Sequence, residues 1–203
     1  ESQPRDDHFD GVRYIFAVLP RLPSAESMIR WIIPVAFASL LIFAGYLYFY
    51  LGLNQKVEIS QGKAGPFLFL YKDHRGPYHT IGPIIREVEL WALSHNVPCS
   101  KTFGHYLDDP DGMDPDRLRS RGGCLLNALP NGLPPAGFQV LNLPEQRYVI
   151  ADYNGSPAAG PLSVYPAVRK YMEKNRMVYP PPVIEIYSIT GSDVHTQYLF
   201  QLP

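Results

Sequence analysis

The residues whose side chains could bind a metal ion are two cysteines, one central histidine and a cluster of carboxylates. Cys99, His105 and Cys124 carry groups that zinc prefers, but they lack the closely spaced ligand pairs of a structural zinc site. The stretch 108–116 carries five aspartates and two prolines, without the spacing or the closing glutamate of an EF-hand loop. We therefore predict a solvated acidic turn there, and no metal or other cofactor.

Two further classes of chemistry are disfavoured by what the sequence does not contain. It has no glycine-rich phosphate loop and no nucleophile elbow. Acidic and basic residues nearly balance, giving a formal net charge of −1 at pH 7, so there is no electrostatic case for direct nucleic-acid binding. We expect a protein that is not an enzyme.

Glu185 is a carboxylate within an apolar run, between Ile184 and Ile186. Strand alternation favours a solvent-facing side chain, opposite those isoleucines. The alternative is a buried position, where a carboxylate beside aromatic rings would attract a lipophilic cation. Five tyrosines are candidates to line such a cleft: Tyr71, Tyr78, Tyr148, Tyr153 and Tyr187.

The most distinctive element is an uncharged apolar run at 31–53. At about 1.5 Å per residue, these 23 residues would reach about 34 Å as a helix, enough to cross a hydrocarbon core of about 30 Å. Arg30 just before the run, Trp31 at its start and tyrosines near its end are typical of membrane interfaces. We predict a transmembrane helix at 24–53; the alternatives are a buried core helix and a cleaved signal peptide.

The head at 1–23 contains a short apolar run, VRYIFAVL, at 12–19. Either the lipid headgroup layer or another protein must cover such a run, and we expect a membrane-protein partner that also contacts the helix. The predicted contact residues are Tyr14, Ile15, Phe16, Val18 and Leu19. The letters FAVL also fit the loose Atg8-binding pattern, but their position before the helix favours a chance match.

The body at 67–203 follows a linker at 54–66 that contains one candidate strand at 56–59, and it divides into two similar halves. Each runs from a strand through a glycine-containing turn, an amphipathic helix and a proline to two more strands. The helices are predicted at 81–96 and 162–174, and Gly76 corresponds to Gly155 at an offset of about 80 residues. We predict an α+β fold: a duplicated β-α-β-β unit forming one antiparallel sheet with both helices on one face. A ligand would lie on the opposite face or in the groove between the halves.

Two segments carry a family resemblance: YLDDPDGMDPDRLRSRGGC at 106–124 and PPVIEIY at 181–187. Together they resemble the GyrI-like family, which includes the effector domains of bacterial multidrug sensors. The resemblance implies that Glu185 is the carboxylate of a cation-binding cleft, with Tyr187 beside it and Tyr153 and Tyr71 as further ligand contacts.

A membrane helix directly before such a domain is similar to the eukaryotic family members that act as ER-phagy receptors. That likeness implies an anchor in the endoplasmic reticulum, a cytosolic domain, and Atg8-type proteins and the p97 ATPase as partners. The tail motif that would bind Atg8 is not found up to Pro203. Cys99 and Cys124 are either paired or free, and such sparse cysteine use favours a reducing compartment.

Our leading hypothesis is therefore a membrane-anchored adaptor whose GyrI-like domain is a docking module, and which acts as an accessory subunit of a membrane complex. The alternative is a domain that binds or hydrolyses a cationic or lipophilic small molecule.

Overall fold

The computed structural model describes residues 25–51, 55–129, 134–179, 182–191 and 193–203. The chain forms two compact units, Glu1–Tyr46 and Leu47–Pro203, and each is described by itself. The predicted partner contacts at 14–19 lie outside the described residues, so that interface stays a prediction.

Helix α1 spans Ala25–Tyr50 and contains most of the apolar run. Pro34 lies inside the helix without ending it. Large apolar side chains such as Trp31, Ile42 and Phe49 are exposed along its length. The stretch Ile29–Tyr50 is long and apolar enough to cross a membrane, a property shared by membrane anchors and signal sequences.

The second unit is a mixed α+β domain, which confirms the predicted fold class. Its described strands are β1 Glu58–Ala64, β2 Phe67–Arg75, β3 Lys101–Tyr106, β4 Arg119–Leu126, β5 Gln139–Leu143, β6 Gln146–Asn154, β7 Val183–Thr190 and β8 Asp193–Gln201. Its helices are α2 Gly82–Ser94 and α3 Gly160–Lys174. Each half is thus strand-strand-helix-strand-strand, one strand longer than the predicted unit, and β1 lies within the stretch assigned to a linker.

The strands form one antiparallel sheet in the order β1-β6-β8-β7-β3-β4-β2-β5. The halves meet where β3 pairs with β7, and there Gly104 lies opposite Glu185. The β1–β2 connection meets the β5–β6 connection, where Lys63 and Glu145 form an ion pair at 3.0 Å. Gly65, at φ +102°, permits this approach, because a Cβ there would lie 3.2 Å from the Glu145 Cα. Joining both ends in this way curls the sheet.

Both faces of the curled sheet are covered by apolar side chains. Beneath α2 the core residues are Leu70, Val88, Ala92, Cys124 and Leu126. Beneath α3 they include Val149, Tyr153, Val164, Val168, Met172 and Phe200. The face away from the helices holds Phe69, Tyr71, Phe103, Tyr148, Ile184, Ile186 and Leu199. Both helices lie on one face, as predicted, and the opposite face is filled by its own core.

The two cysteines form a disulfide that joins the segment after α2 to strand β4. Cys99 and Cys124 are therefore not thiolate ligands, and His105 lies on the other face of the sheet from Cys124. Disulfides are typical of oxidising compartments. The cysteines thus give no support to the reducing compartment that their number favoured.

Candidate functional site

A carboxylate lies at the centre of the sheet, between the two helices. Glu185 on β7 pairs with Gly104 of β3 and with Tyr198 of β8. Helix α2 packs mainly on β2 and β4 and α3 packs on β6, so β3 and β7 lie in the part of the sheet between the two helices. Only 3% of Glu185 is exposed. The solvent-facing position favoured by strand alternation is wrong, because the curled sheet buries both of its faces.

Tyrosine hydroxyls occupy both oxygens of this carboxylate. The Tyr165 hydroxyl on α3 donates to Oε1 at 2.7 Å, and the Tyr187 hydroxyl donates to Oε2 at 2.9 Å. The Tyr106 hydroxyl lies 3.1 Å from that of Tyr187. One carboxylate and three phenols therefore form a continuous hydrogen-bonded cluster, which we call the Glu185 cluster.

Burial dominates the protonation of the Glu185 cluster. Loss of solvent raises the pKa of Glu185 to about 7, and the hydrogen bonds from Tyr165 and Tyr187 oppose this rise. Burial also raises the pKa of both tyrosines well above the ordinary value. The hydroxyls therefore remain protonated donors, while Glu185 changes between acid and carboxylate near neutral pH.

Aromatic rings enclose the cluster on several sides. Tyr78 meets Tyr106 edge-on with ring centroids 4.8 Å apart, and Tyr165 meets Tyr198 edge-on at 6.0 Å. The ring of Tyr106 lies over Gly104, where a Cβ would be 2.8 Å from the Tyr106 hydroxyl. Glycine at this position therefore lets Tyr106 reach Tyr187. Such π faces around a carboxylate are suited to an organic cation.

The β3–β4 loop and α3 contact each other beside the Glu185 cluster. Arg169 on α3 pairs with Asp111 of the loop at 3.2 Å, and its guanidinium lies 5.0 Å from the centroid of Tyr179. Asp108 holds the base of the loop by accepting hydrogen bonds from the Arg119 backbone and side chain, each at 2.7 Å. The predicted solvated turn is thus exposed over most of its length, but its first aspartate is buried and paired.

The structure brings together some of the predicted ligand contacts and separates others. Glu185 and Tyr187 are in direct contact. Tyr153 lies on the same face but two strands away, on β6. Tyr71 faces the opposite side, where its hydroxyl donates to Gln139 at 2.9 Å and Arg121 lies 5.1 Å from its ring centroid. Placing Tyr71 in this cleft was wrong. The strand pairings from β2 through β4 and β3 to β7 put its side chain on the same face of the sheet as Ile186, whereas Glu185 lies on the other face. The ligand-binding role of the others stays a prediction.

Sequence reasoning did not assign Tyr106, Tyr165 or Tyr198 to the site. The internal repeat contained the necessary pattern for Tyr106, because an offset of 81 residues relates Gly104 to Glu185 and Tyr106 to Tyr187. Tyr165 lies one residue after Val164 and three before Val168, on the predicted inner face of α3. Tyr198 could be assigned to the site only from the register between β7 and β8, which places it opposite Glu185.

The fold is an α+β domain with a buried carboxylate near the centre of its sheet. A family model for the GyrI-like small molecule binding domain matches residues 58–199, and the chain belongs to this family. No curated protein matches the chain.

Several solved structures share the fold. A cryo-EM structure of an EcmrR–DNA complex in EcmrR-RPo is similar at 12% identity and a TM-score of 0.56, over 87% of this chain and 67% of that one. The crystal structure of the EcmrR C-terminal domain is similar at 12% identity and 0.55, over 72% and 98% of the respective chains. SAV2435 bound to tetraphenylphosphonium is similar at 10% identity and 0.50, over 72% and 94%. Identities this low establish a common fold alone.

Proposed function

We propose that the domain binds a small lipophilic cation in the groove between α2 and α3, with Glu185 as the countercharge. The observation that carries this proposal is the buried carboxylate, whose hydrogen bonds come from tyrosines. Within the described parts of the chain, no lysine, arginine or histidine pairs with Glu185. A buried carboxylate without a cationic partner is costly, and a bound cation would offset that cost.

The surrounding rings would make the site selective for organic cations. Phenol and phenyl faces attract a diffuse positive charge at close range, whereas a small hydrated ion would lose more hydration than they return. Tyr165 lies on α3 and is half-buried, so its side chain is the one that must move for a ligand to reach Oε1. Binding would exchange a tyrosine hydrogen bond for a full charge pair.

Titration of the full chain in detergent with tetraphenylphosphonium tests the proposal. We expect saturable binding at pH 8, and Glu185→Gln should weaken it by about tenfold or more, the equivalent of about 1.4 kcal/mol. The matched control is Glu89→Gln, which removes a carboxylate on α2 that pairs with Arg86. Equal affinities for the wild type and Glu185→Gln would contradict the proposal.

We propose binding without catalysis. The Glu185 cluster contains hydrogen-bond donors and one acid, but the described residues form no cluster of three metal-ligating side chains. A ligand recovered chemically unchanged after long incubation with the protein would support a binding role. Turnover that disappears in Glu185→Gln would overturn it in favour of hydrolysis.

The second candidate is the membrane-anchored adaptor. The exposed apolar surface of α1 favours it, because such a surface needs lipid or another membrane protein to cover it. In this proposal the helix lies in the endoplasmic reticulum or another intracellular membrane, the domain is cytosolic, and the head contributes Tyr14, Ile15, Phe16, Val18 and Leu19 to a membrane-protein contact.

Two experiments test the adaptor proposal. If the domain is cytosolic, protease added to intact native microsomes should digest it. Affinity purification from those membranes should recover Atg8-type proteins or p97 if the family likeness extends to partners. A protected domain, or purification that recovers neither partner, would count against the adaptor and leave the ligand-binding proposal intact.

A further inference from the structure

We propose that the cation site continues into a hydrogen-bonding subsite formed by Thr196 and Tyr198. Its preferred ligand would then be a lipophilic cation that carries an oxygen acceptor on a short arm. This inference rests on the proposed function, and it specifies the class of ligand beyond charge and apolar character.

Both residues lie on β8, beside the Glu185 cluster. Tyr198 pairs with Glu185, and Thr196 pairs with Tyr187. On their other side, Thr196 pairs with Tyr153 of β6. The alternation of the strand directs both side chains towards α3, on the same face as the carboxylate. The two hydroxyls therefore extend the polar cluster by one strand.

Neither hydroxyl is hydrogen-bonded to the described part of the protein, although both residues are completely buried. Buried hydroxyls nearly always have a partner, and leaving one unpaired costs about 1–3 kcal/mol. The neighbouring hydroxyls of Tyr165 and Tyr187 follow that rule, since both donate to Glu185. Two adjacent exceptions, beside a carboxylate that has no cationic partner among the described residues, point to a bound molecule.

The surroundings favour an acceptor on that molecule. Burial raises the pKa of Tyr198, and Glu185 adds to the rise, so the phenol remains a donor. The Tyr198 hydroxyl lies beneath the first turn of α3, where a Cβ at Gly160 would overlap it. The N-terminus of this 15-residue helix carries the positive end of its dipole, which stabilises a partly negative oxygen.

A matched pair of cations tests the subsite: (2-methoxyethyl)triphenylphosphonium and n-butyltriphenylphosphonium. They share charge, aromatic head and chain length, and differ by one ether oxygen in place of a methylene. We expect the wild-type chain in detergent to bind the ether about three- to tenfold more tightly, as one additional hydrogen bond would give. The ratio of the two affinities should fall towards one in Thr196→Val and in Tyr198→Phe.

Control variants separate the subsite from general effects on folding. Thr190→Val and Tyr171→Phe remove hydroxyls elsewhere in the domain and should keep the wild-type ratio. Thr196→Ser keeps a hydroxyl while losing a methyl group, so it should also keep the preference. Thermal unfolding followed by circular dichroism identifies any variant that fails to fold.

The outcomes distinguish this inference from the proposed function. Equal wild-type affinities for the two probes, or a preference that survives both Thr196→Val and Tyr198→Phe, would overturn the subsite. Glu185→Gln should lower the affinity for both probes by the same factor. If it weakens neither, the cation site fails, whatever the ether preference shows.

Discussion

The two halves of the domain place different residues at equivalent positions beside their common axis. In the first half, Gly104 pairs with Gly122; in the second, Glu185 pairs with Tyr198. On the first side Ile85 of α2 packs directly onto Gly122, since a Cβ there would lie only 2.7 Å from its Cγ1. In the first half an apolar side chain of α2 packs directly on the sheet at this position. In the second half the equivalent position holds polar and aromatic groups.

The equivalence extends to the tyrosines, where the halves have not diverged. Tyr106 and Tyr187 are related by the same offset as Gly104 and Glu185, and their hydroxyls lie 3.1 Å apart across the axis. Both halves therefore contribute a phenol to the Glu185 cluster, but only the second contributes a charge. The duplicated unit thus supplies an axis tyrosine twice and the buried carboxylate once.

The largest effect should come from the close packing in the first half. Gly122→Ala would place a Cβ against Ile85 and, at 3.2 Å, against Ile81. We expect the free energy of unfolding to fall by about 2–3 kcal/mol, measured by urea denaturation. Combined with Ile85→Ala, the same change should cost much less, because the obstructing atoms are gone.

Gly82→Ala serves as the control for this prediction, because a Cβ at that position would meet no heavy atom within 4 Å. It should leave stability within about 0.5 kcal/mol of the wild type. A Gly122→Ala chain as stable as the wild type would show that α2 does not pack tightly, and the contrast between the halves would lose its basis.

The second prediction concerns the stability cost of the charge in the second half. Folding raises the pKa of Glu185 from 4.5 to about 7, so the folded state holds this proton more tightly than the unfolded state. Stability should therefore fall as pH rises from 4.5 to 7, and remain lower above that range. Glu185→Gln removes the charge, and we expect it to raise the melting temperature by about 5 °C at pH 8.

At pH 5 the same substitution should change the melting temperature little, because Glu185 is already neutral in the folded state. Glu89→Gln is again the matched control, and it should show no such pH dependence. A gain at pH 5 as large as that at pH 8 would mean that the substitution acts through packing rather than charge.

The third prediction concerns the pH dependence of ligand binding. A permanent cation such as tetraphenylphosphonium pairs only with ionised Glu185. Its affinity should therefore fall as pH decreases below 7, approaching tenfold per pH unit. Isothermal titration calorimetry between pH 5.5 and 8.5 would measure this change. A flat profile in the wild type, or the same slope in Glu185→Gln, would assign the titration to another group.

The smallest effect should come from the tyrosine of the first half. Tyr165→Phe removes a hydroxyl bound directly to the carboxylate, and it should raise the midpoint of the pH profile by about one pH unit. Tyr106→Phe removes a hydroxyl whose hydrogen-bond partner among the described residues is Tyr187 rather than Glu185, so its shift should be in the same direction and less than about half as large. A larger shift in Tyr106→Phe than in Tyr165→Phe would show that Tyr106 affects the pKa of Glu185 more strongly than its indirect contact through Tyr187 indicates.

Much of the fold follows from local sequence patterns. The periodicity of α2 and α3, and the glycine turns at Gly76 and Gly155, indicated the two halves and their offset. The first residues of strand β4, from Arg119, alternate polar and small side chains, so the local sequence gives no apolar signal for this part of the strand. Strand β1 is likewise largely polar, so the sequence indicated only its start, in the candidate strand at 56–59, and its pairing with β6 depends on a partner about 90 residues away.

The site was less predictable, because its geometry depends on registers between distant strands. Alternation correctly separated Glu185 from Ile184 and Ile186, but it carried no information about which face would be covered. Tyr71 was misplaced for the same reason, since its face relative to Glu185 is fixed through two intervening strands. The disulfide depends on the pairing of β3 with β4, which places Cys124 beside Thr102 and so within reach of Cys99.

The pairing of Gly104 with Glu185 has a consequence for how such a site can arise. Two identical subunits meeting at a twofold axis must carry the same residue on both sides of it. They would present either two glycines and no charge, or two adjacent carboxylates that repel each other and compete for one proton. When both copies are linked in one polypeptide, their sequences can differ at this position. A single negative charge can then lie at the centre of an otherwise symmetric sheet.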